Sequence, residues 1–65
     1  MTLLLNGAPQ GVAAKTLAEA LVELGFAGRI VATALNGDFV PARKRAEKIL
    51  SEGDRIEIVA PMQGG

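Results

Sequence analysis

The 65-residue sequence predicts an α+β fold in which a mixed five-stranded sheet packs on one main helix. Two observations carry this prediction. One strongly capped amphipathic segment is present, and short apolar runs that end in turn residues lie on both sides of it. The chain is 49% hydrophobic, which is sufficient for a core at a length near the lower limit for one domain.

Two short strands are expected before the helix. Residues 2–6 (TLLLN) form an apolar run that ends in the turn signal Asn6-Gly7. Residues 12–14 (VAA) are expected to return as the second strand, with a loose loop between the two.

The helix has the clearest signals in the sequence. Thr16 and Glu19 form a capping-box pattern, in which the threonine hydroxyl accepts from the Glu19 N–H and the glutamate reaches back. The apolar side chains then recur at helical spacing: Leu17, Ala20, Leu21 and Leu24. Gly25 provides a left-handed stop, and Phe26 is expected to contact Leu21.

Three strands are expected after the helix, over residues 30–35, 38–40 and 55–60. Asn36-Gly37 predicts a tight turn between the first two, and Pro41 ends the second. Residues 43–50 are ambiguous between a helical turn and a loop. With the first and last strands parallel at the centre, the arrangement that fits is a β-grasp domain over residues 1–60, followed by a flexible tail over residues 61–65.

Composition narrows the function classes. Seven basic residues balance seven acidic ones, and Phe26 and Phe39 are the only aromatics, which argues against a nucleic-acid partner. No apolar run approaches a membrane span, so a cytoplasmic location is expected. The sequence has no Cys and no His, which excludes thiolate chemistry and argues against a metal site and against an enzyme.

Two charged groups have alternative interpretations. Glu19 and Glu23 lie one helical turn apart, a spacing compatible with acid–base catalysis, but a helix cap and a solvated side chain are the preferred interpretation. The basic cluster at residues 43–45, with Lys48, either docks an acidic partner surface or is a solvated loop.

The last five residues suggest a different kind of chemistry. Five residues extend about 17 Å, and Gly64 and Gly65 have no Cβ, so such a tail fits a narrow tunnel. Threading into a partner's site would involve Met62, Gln63 and Gly64, and it would present the Gly65 carboxylate. That carboxylate is a poor electrophile until another protein activates it. The chain is therefore expected to be a substrate and carrier and not an enzyme.

The segments "TLAEALVELG", "LNGDFVP" and "EGDRIEIVAPMQGG" together resemble the ThiS/MoaD family of ubiquitin-like sulfur carriers, and most closely its thiamin-biosynthesis branch. The resemblance implies a β-grasp fold. It also implies an adenylating partner that uses ATP and magnesium to convert the Gly65 carboxylate into an acyl-adenylate, with no cofactor bound by the carrier itself. Sulfur that arrives through a cysteine desulfurase then gives a thiocarboxylate, which donates sulfur to thiazole synthase.

The resemblance has a departure and leaves alternatives open. Ala42 follows Pro41 where many relatives carry Arg and then Trp, which affects docking details. Candidate docking residues are Leu4 and Val59 on the outer sheet face, and Arg43. The alternatives are a molybdopterin-synthase small subunit, a ubiquitin-like protein modifier, or a non-covalent adaptor with a disordered tail.

Overall fold

The computed structural model describes residues 1–60 and contains one five-stranded sheet in the order β2-β1-β5-β3-β4. The strands are β1 (Thr2–Leu5), β2 (Ala8–Gly11), β3 (Ala32–Leu35), β4 (Asp38–Val40) and β5 (Arg55–Val59). The helix α1 spans Leu17–Glu23, and a 3₁₀ helix spans Ala42–Glu47. β1 and β5 are parallel at the centre, whereas the other pairs are antiparallel. The predicted α+β, β-grasp architecture is confirmed.

The core lies between α1 and one face of the sheet. Its buried apolar side chains are Leu3, Val12, Ala14, Leu17, Ala20, Leu21, Val40, Leu50, Ile56 and Ile58. Alternation along β5 buries Ile56 and Ile58 and leaves the residues between them exposed. The opposite face of the sheet is therefore open to solvent, with Val59 as its last strand residue.

The expected strand at residues 12–14 is wrong, because β2 occupies Ala8–Gly11. The Asn6-Gly7 turn has only two central residues, so Ala8 must pair with Leu5 immediately. Pro9 is compatible with this edge strand because its nitrogen faces away from β1 in a non-hydrogen-bonded pair. Val12 then exchanges hydrogen bonds with Met1 before the chain turns into the core.

The other boundaries differ by small amounts. β3 begins at Ala32 and not at residue 30, since Ile30 is 79% exposed in the preceding loop. β5 ends at Val59, one residue earlier than expected. The ambiguous segment at residues 43–50 contains the 3₁₀ helix, followed by an isolated bridge between Thr16 and Ile49.

The start of α1 is held by two glutamates. Thr16 Oγ1 accepts from the Glu19 N–H at 3.2 Å, as predicted, whereas the Glu19 carboxylate accepts from the N–H of Lys15 at 2.9 Å. The Glu23 carboxylate accepts from the amides of residues 13–14 at 2.9–3.0 Å. Glu23 is exposed, as predicted, but its carboxylate also ties the incoming loop to the helix, which was not predicted.

The end of α1 is a Schellman motif. Gly25 has a φ of 91° and donates to the Val22 carbonyl at 3.2 Å, while Phe26 donates to the Leu21 carbonyl at 2.8 Å. Phe26 also packs against the core. The predicted stop at Gly25 and the contact between Phe26 and Leu21 are confirmed.

Candidate functional site

The predicted tail residues Met62, Gln63, Gly64 and Gly65 lie outside the described residues. The structure describes the strand that leads to them, β5, and the residue after it, Ala60. The geometry of the candidate site is therefore the geometry of the surfaces that surround the C-terminal end of β5.

Asn6 holds the C-terminal half of β5 on the β1 side. Its Oδ1 accepts from the Ile58 N–H at 2.9 Å, and its Nδ2 donates to the Ile58 carbonyl at 3.2 Å. The backbone N–H of Asn6 donates to the Ile56 carbonyl at 2.8 Å. The asparagine side chain thus replaces the next residue of the parallel ladder, and it fixes β5 two residues before Ala60.

Asn36 makes the corresponding contact at the other end of β5, on the β3 side. Its Oδ1 accepts from the Arg55 N–H at 2.9 Å, and its Nδ2 donates to the Asp54 carboxylate at 3.0 Å. Both asparagines precede a glycine in a tight turn and have positive φ, 49° for Asn6 and 51° for Asn36. Their sequence context predicts the two turns but not these hydrogen bonds to β5.

An apolar patch covers the outer face of the sheet where β5 ends. Val59 is 63% exposed and pairs with Ala32, while Phe39 is 69% exposed and pairs with Ala34. These four side chains line a shallow concavity of about 200 Å³ together with Glu57. Exposed apolar residues gathered in one place, next to the start of the predicted tail, are typical of a protein-binding surface.

The three predicted docking residues do not form one cluster. Leu4 shares the outer face with Val59, but it stands opposite Arg55, four residues earlier in β5 and about 13 Å away along the strand. Leu4 is also half-buried. Arg43 is exposed on the 3₁₀ helix, on a different element from the other two. Phe39 is not among the predicted docking residues, and its outward position follows from its pairing with Ala34 in the hairpin of β3 and β4.

The basic cluster is divided by the fold. Arg45 turns inward, where its Nε donates to Thr33 Oγ1 at 3.0 Å and its Nη2 donates to the Val31 carbonyl at 2.7 Å. Thr33 is buried and in turn donates to the Val40 carbonyl at 2.8 Å. Arg45 therefore anchors the 3₁₀ helix to the sheet, and the remaining basic side chains of the segment stay on the surface.

Side chains suited to metal binding do not converge in the described part of the chain. Residues 1–60 contain no group of three acidic residues placed to hold a metal ion. Glu19 and Glu23 both use their carboxylates to accept backbone amides, which is a structural task. Within the same range, no helix is long and apolar enough to cross a membrane.

The sheet order, the single covering helix and the patch beside the end of β5 define a small ubiquitin-like β-grasp domain. Over its whole length the fold matches the crystal structure of the thiamine biosynthesis protein ThiS from Geobacter metallireducens, with a TM-score of 0.82 and 30% identity, and all of both chains is covered. A solution structure of a thiamine biosynthesis protein from that organism gives a TM-score of 0.78 at 29% identity, covering 100% of this chain and 88% of the other.

The chain belongs to the ThiS family, whose family model matches residues 3–65. The sulfur carrier protein ThiS of Thermus thermophilus is 41% identical over 61 residues, which are 94% of this chain and 95% of that protein. A thiazole synthase of Paramagnetospirillum magneticum is 39% identical over 66 residues, which cover this whole chain but 20% of the synthase. The predicted family is confirmed.

Proposed function

We propose that this protein is the sulfur carrier for the thiazole half of thiamin, and that it carries sulfur on the Gly65 carboxyl group. The observation that carries the proposal is the match to the ThiS family, which extends through Gly64 and Gly65. The absence of Cys from the sequence agrees with it, because a carrier without a thiol must load sulfur on its main-chain carboxylate.

The proposed reaction needs partners for each covalent step. An adenylating enzyme, with ATP and magnesium in its own site, joins the Gly65 carboxylate to AMP and releases pyrophosphate. The outer sulfur of a persulfide supplied through a cysteine desulfurase attacks the acyl carbon, and AMP leaves with its bonding electrons. A thiol then attacks the other sulfur of the resulting acyl disulfide, which forms a new disulfide and releases the thiocarboxylate. The resulting thiocarboxylate donates its sulfur to thiazole synthase, and the carrier returns as a carboxylate. The carrier acts as a co-substrate in this scheme and binds no cofactor, and the scheme is proposed to operate in the cytoplasm.

Thiazole synthase as a partner is supported by the second relative. In Paramagnetospirillum magneticum a segment similar to this whole chain is part of a protein named thiazole synthase. Covalent linkage raises the effective concentration of two modules that act together. A separate carrier must find the synthase by docking, which gives the exposed patch beside β5 a role.

The proposed docking surface is the apolar patch of Val59, Ala32, Ala34 and Phe39. A standard interface buries about 800 Å² on each partner, so one centred on this patch also reaches Leu4. Residues 61–65 would then enter the partner's active site from the edge of the interface, with Met62 at its rim and Gln63 and Gly64 in the channel. Arg43 adds charge that steers the encounter from the 3₁₀ helix.

Intact mass spectrometry tests the carrier chemistry. Incubation with the adenylating enzyme, ATP, magnesium and a sulfide source should exchange one oxygen for one sulfur in the full chain, while a variant that lacks Gly65 stays unchanged. No mass change with an enzyme proven active on another ThiS protein would contradict the proposal. Rescue of a thiamin requirement, and not of molybdoenzyme activity, separates the thiamin role from the molybdopterin role. Adducts on lysine side chains of other proteins would indicate a ubiquitin-like modifier. Full function of a variant that lacks Gly64 and Gly65 would indicate a non-covalent adaptor.

A matched pair of valines tests the docking surface. Val59 on the sheet is 63% exposed and Val22 on α1 is 64% exposed, so replacing either by lysine costs little burial. Val59→Lys should raise the KM of the adenylating enzyme for the carrier about tenfold, since a charge is desolvated at the interface centre, whereas Val22→Lys leaves it unchanged. Equal effects of the two substitutions would remove the patch from the proposal.

A further inference from the structure

A groove runs beside the free edge of β4, on the side of Phe39 away from β3. It has a volume of about 340 Å³ and is lined by Phe39, Pro41, Lys44, Glu47 and Lys48. The proposed carrier function uses neither of the lysines that line this groove. The groove shares Phe39 with the apolar patch around Val59, but its two lysines lie outside that patch and need their own explanation.

The positions of the lysines follow from the 3₁₀ helix. Side chains three residues apart lie above one another in such a helix, so Lys44 and Glu47 share one row and both line the groove. Arg45 is on a different row and is held by Thr33 and the Val31 carbonyl. Anchoring Arg45 thus directs Lys44 toward the space beside β4, and Lys48 follows at the end of the helix.

The edge of β4 offers one complete backbone pairing position. Leu35 and Asp38 close the two-residue turn and are hydrogen-bonded to each other, so the next pair, Ala34 with Phe39, is not. The N–H and C=O of Phe39 consequently point away from β3 toward the groove. Pro41 has no N–H, which limits strand addition at this edge to the region of Phe39.

The chemistry of the groove favours an extended peptide. A peptide residue paired with Phe39 places its own side chain on the face of the Phe39 ring, where an aliphatic group packs best. The neighbouring residues of that peptide come within reach of Lys44 and Lys48, which favour carboxylates. A compact polyanion such as a nucleotide fits less well, because Glu47 adds a negative charge to the same lining.

We propose that this groove binds an extended acidic segment of a partner protein, which adds to the edge of β4 at Phe39 and pairs its carboxylates with Lys44 and Lys48. The segment has an aliphatic residue opposite Phe39 and Asp or Glu on either side of it. The site shares Phe39 with the apolar patch around Val59, so a partner that covers Phe39 competes with this segment for the groove.

Nuclear magnetic resonance with the ¹⁵N-labelled full chain tests the proposal. The probe is an eight-residue peptide of alternating valine and glutamate. Saturable shifts should centre on the amides of Phe39, Lys44 and Lys48, and the Phe39 amide should exchange more slowly with solvent. A peptide of equal charge with proline in place of each valine lacks the amide that pairs with Phe39, and it should not bind.

A matched pair of double variants tests the charge. Lys44→Gln with Lys48→Gln should weaken binding about tenfold, whereas Arg29→Gln with Arg55→Gln, which changes the net charge equally, should weaken it less than about twofold. These exposed substitutions leave the core intact, and unchanged amide spectra verify folding. Absence of shifts, equal binding of the proline peptide or of a valine–lysine peptide, or displacement of the peptide by ATP or single-stranded RNA would each overturn the proposal.

Discussion

Replacing Asn6 by glycine isolates the clamp that holds the end of β5. Glycine accepts the positive φ of this position without strain, so the loss is confined to the two hydrogen bonds to Ile58 and to the extra freedom of the unfolded chain. At about 1 kcal/mol net for each partly buried hydrogen bond, the free energy of unfolding should fall by about 2 kcal/mol. The melting temperature should fall by about 4–8 °C for each kcal/mol.

Asn36→Gly is the matched control. Asn36 occupies the same position in the other Asn-Gly turn, with nearly the same φ, and also makes two side-chain hydrogen bonds, but at Arg55 and Asp54. Both variants lower global stability. Amide hydrogen exchange separates them, because only Asn6→Gly should open Ile58 and Val59 ahead of global unfolding.

The Asn6→Gly substitution should also weaken recognition of the carrier by the proposed adenylating enzyme. When residues 58–60 fray, a partner must order them on binding, and this ordering costs about 1 kcal/mol of binding free energy. That cost corresponds to about a fivefold higher KM of the adenylating enzyme for the carrier. The reasoning is refuted if Ile58 in Asn6→Gly exchanges no faster than global unfolding allows, or if Asn36→Gly raises the KM as much.

Three further predictions concern the fold and are measured by thermal and urea unfolding. Leu17→Ala should cost about 2–5 kcal/mol, because Leu17 is fully buried, and should largely unfold a domain whose total stability is about 3–10 kcal/mol; a loss under about 1 kcal/mol would contradict the assigned core. Gly25→Ala should lower the free energy of unfolding by about 1–2 kcal/mol. The cause is the φ of 91° alone, since no atom lies within 4 Å of the new Cβ, and an unchanged stability would count against the Schellman geometry. Glu23→Ala should lower the free energy of unfolding by about 1–2 kcal/mol, because the amides of residues 13–14 lose their acceptor. Glu47→Ala is the control that leaves these contacts intact, and equal losses of stability in both variants would argue against the tie between the loop and the helix.

The helix was predictable because its signals are local. Thr16, Glu19 and Gly25 lie within one turn of the positions that they cap, so their contacts follow from spacing alone. The Asn-Gly turns were equally recognisable, yet β2 was misplaced, because Pro9 and Gly11 are poor strand formers that an edge position tolerates. In that case the geometry of a two-residue turn outweighed residue preference.

The clamps and surfaces were not predictable, because they join residues distant in sequence. Asn6 and Ile58 are 52 residues apart, and nothing near either one indicates the contact. Likewise, the division of the basic cluster depends on the buried Thr33 that accepts from Arg45. Spacing identified the outer face of the sheet, whereas the patch around Val59 and the groove beside Phe39 required the pairing of β3 with both β4 and β5.

β5 lies at the centre of the sheet and is the strand that joins its two halves. Without this strand, the β1–β2 and β3–β4 hairpins share no sheet partner, so a nascent or truncated chain that stops before Arg55 has two unjoined halves. The complete sheet can therefore form only after residues 55–59 have been synthesised, and its long-range pairings form more slowly than local ones. An enzyme that recognises the finished sheet therefore selects completed chains, and it ignores fragments still emerging from the ribosome.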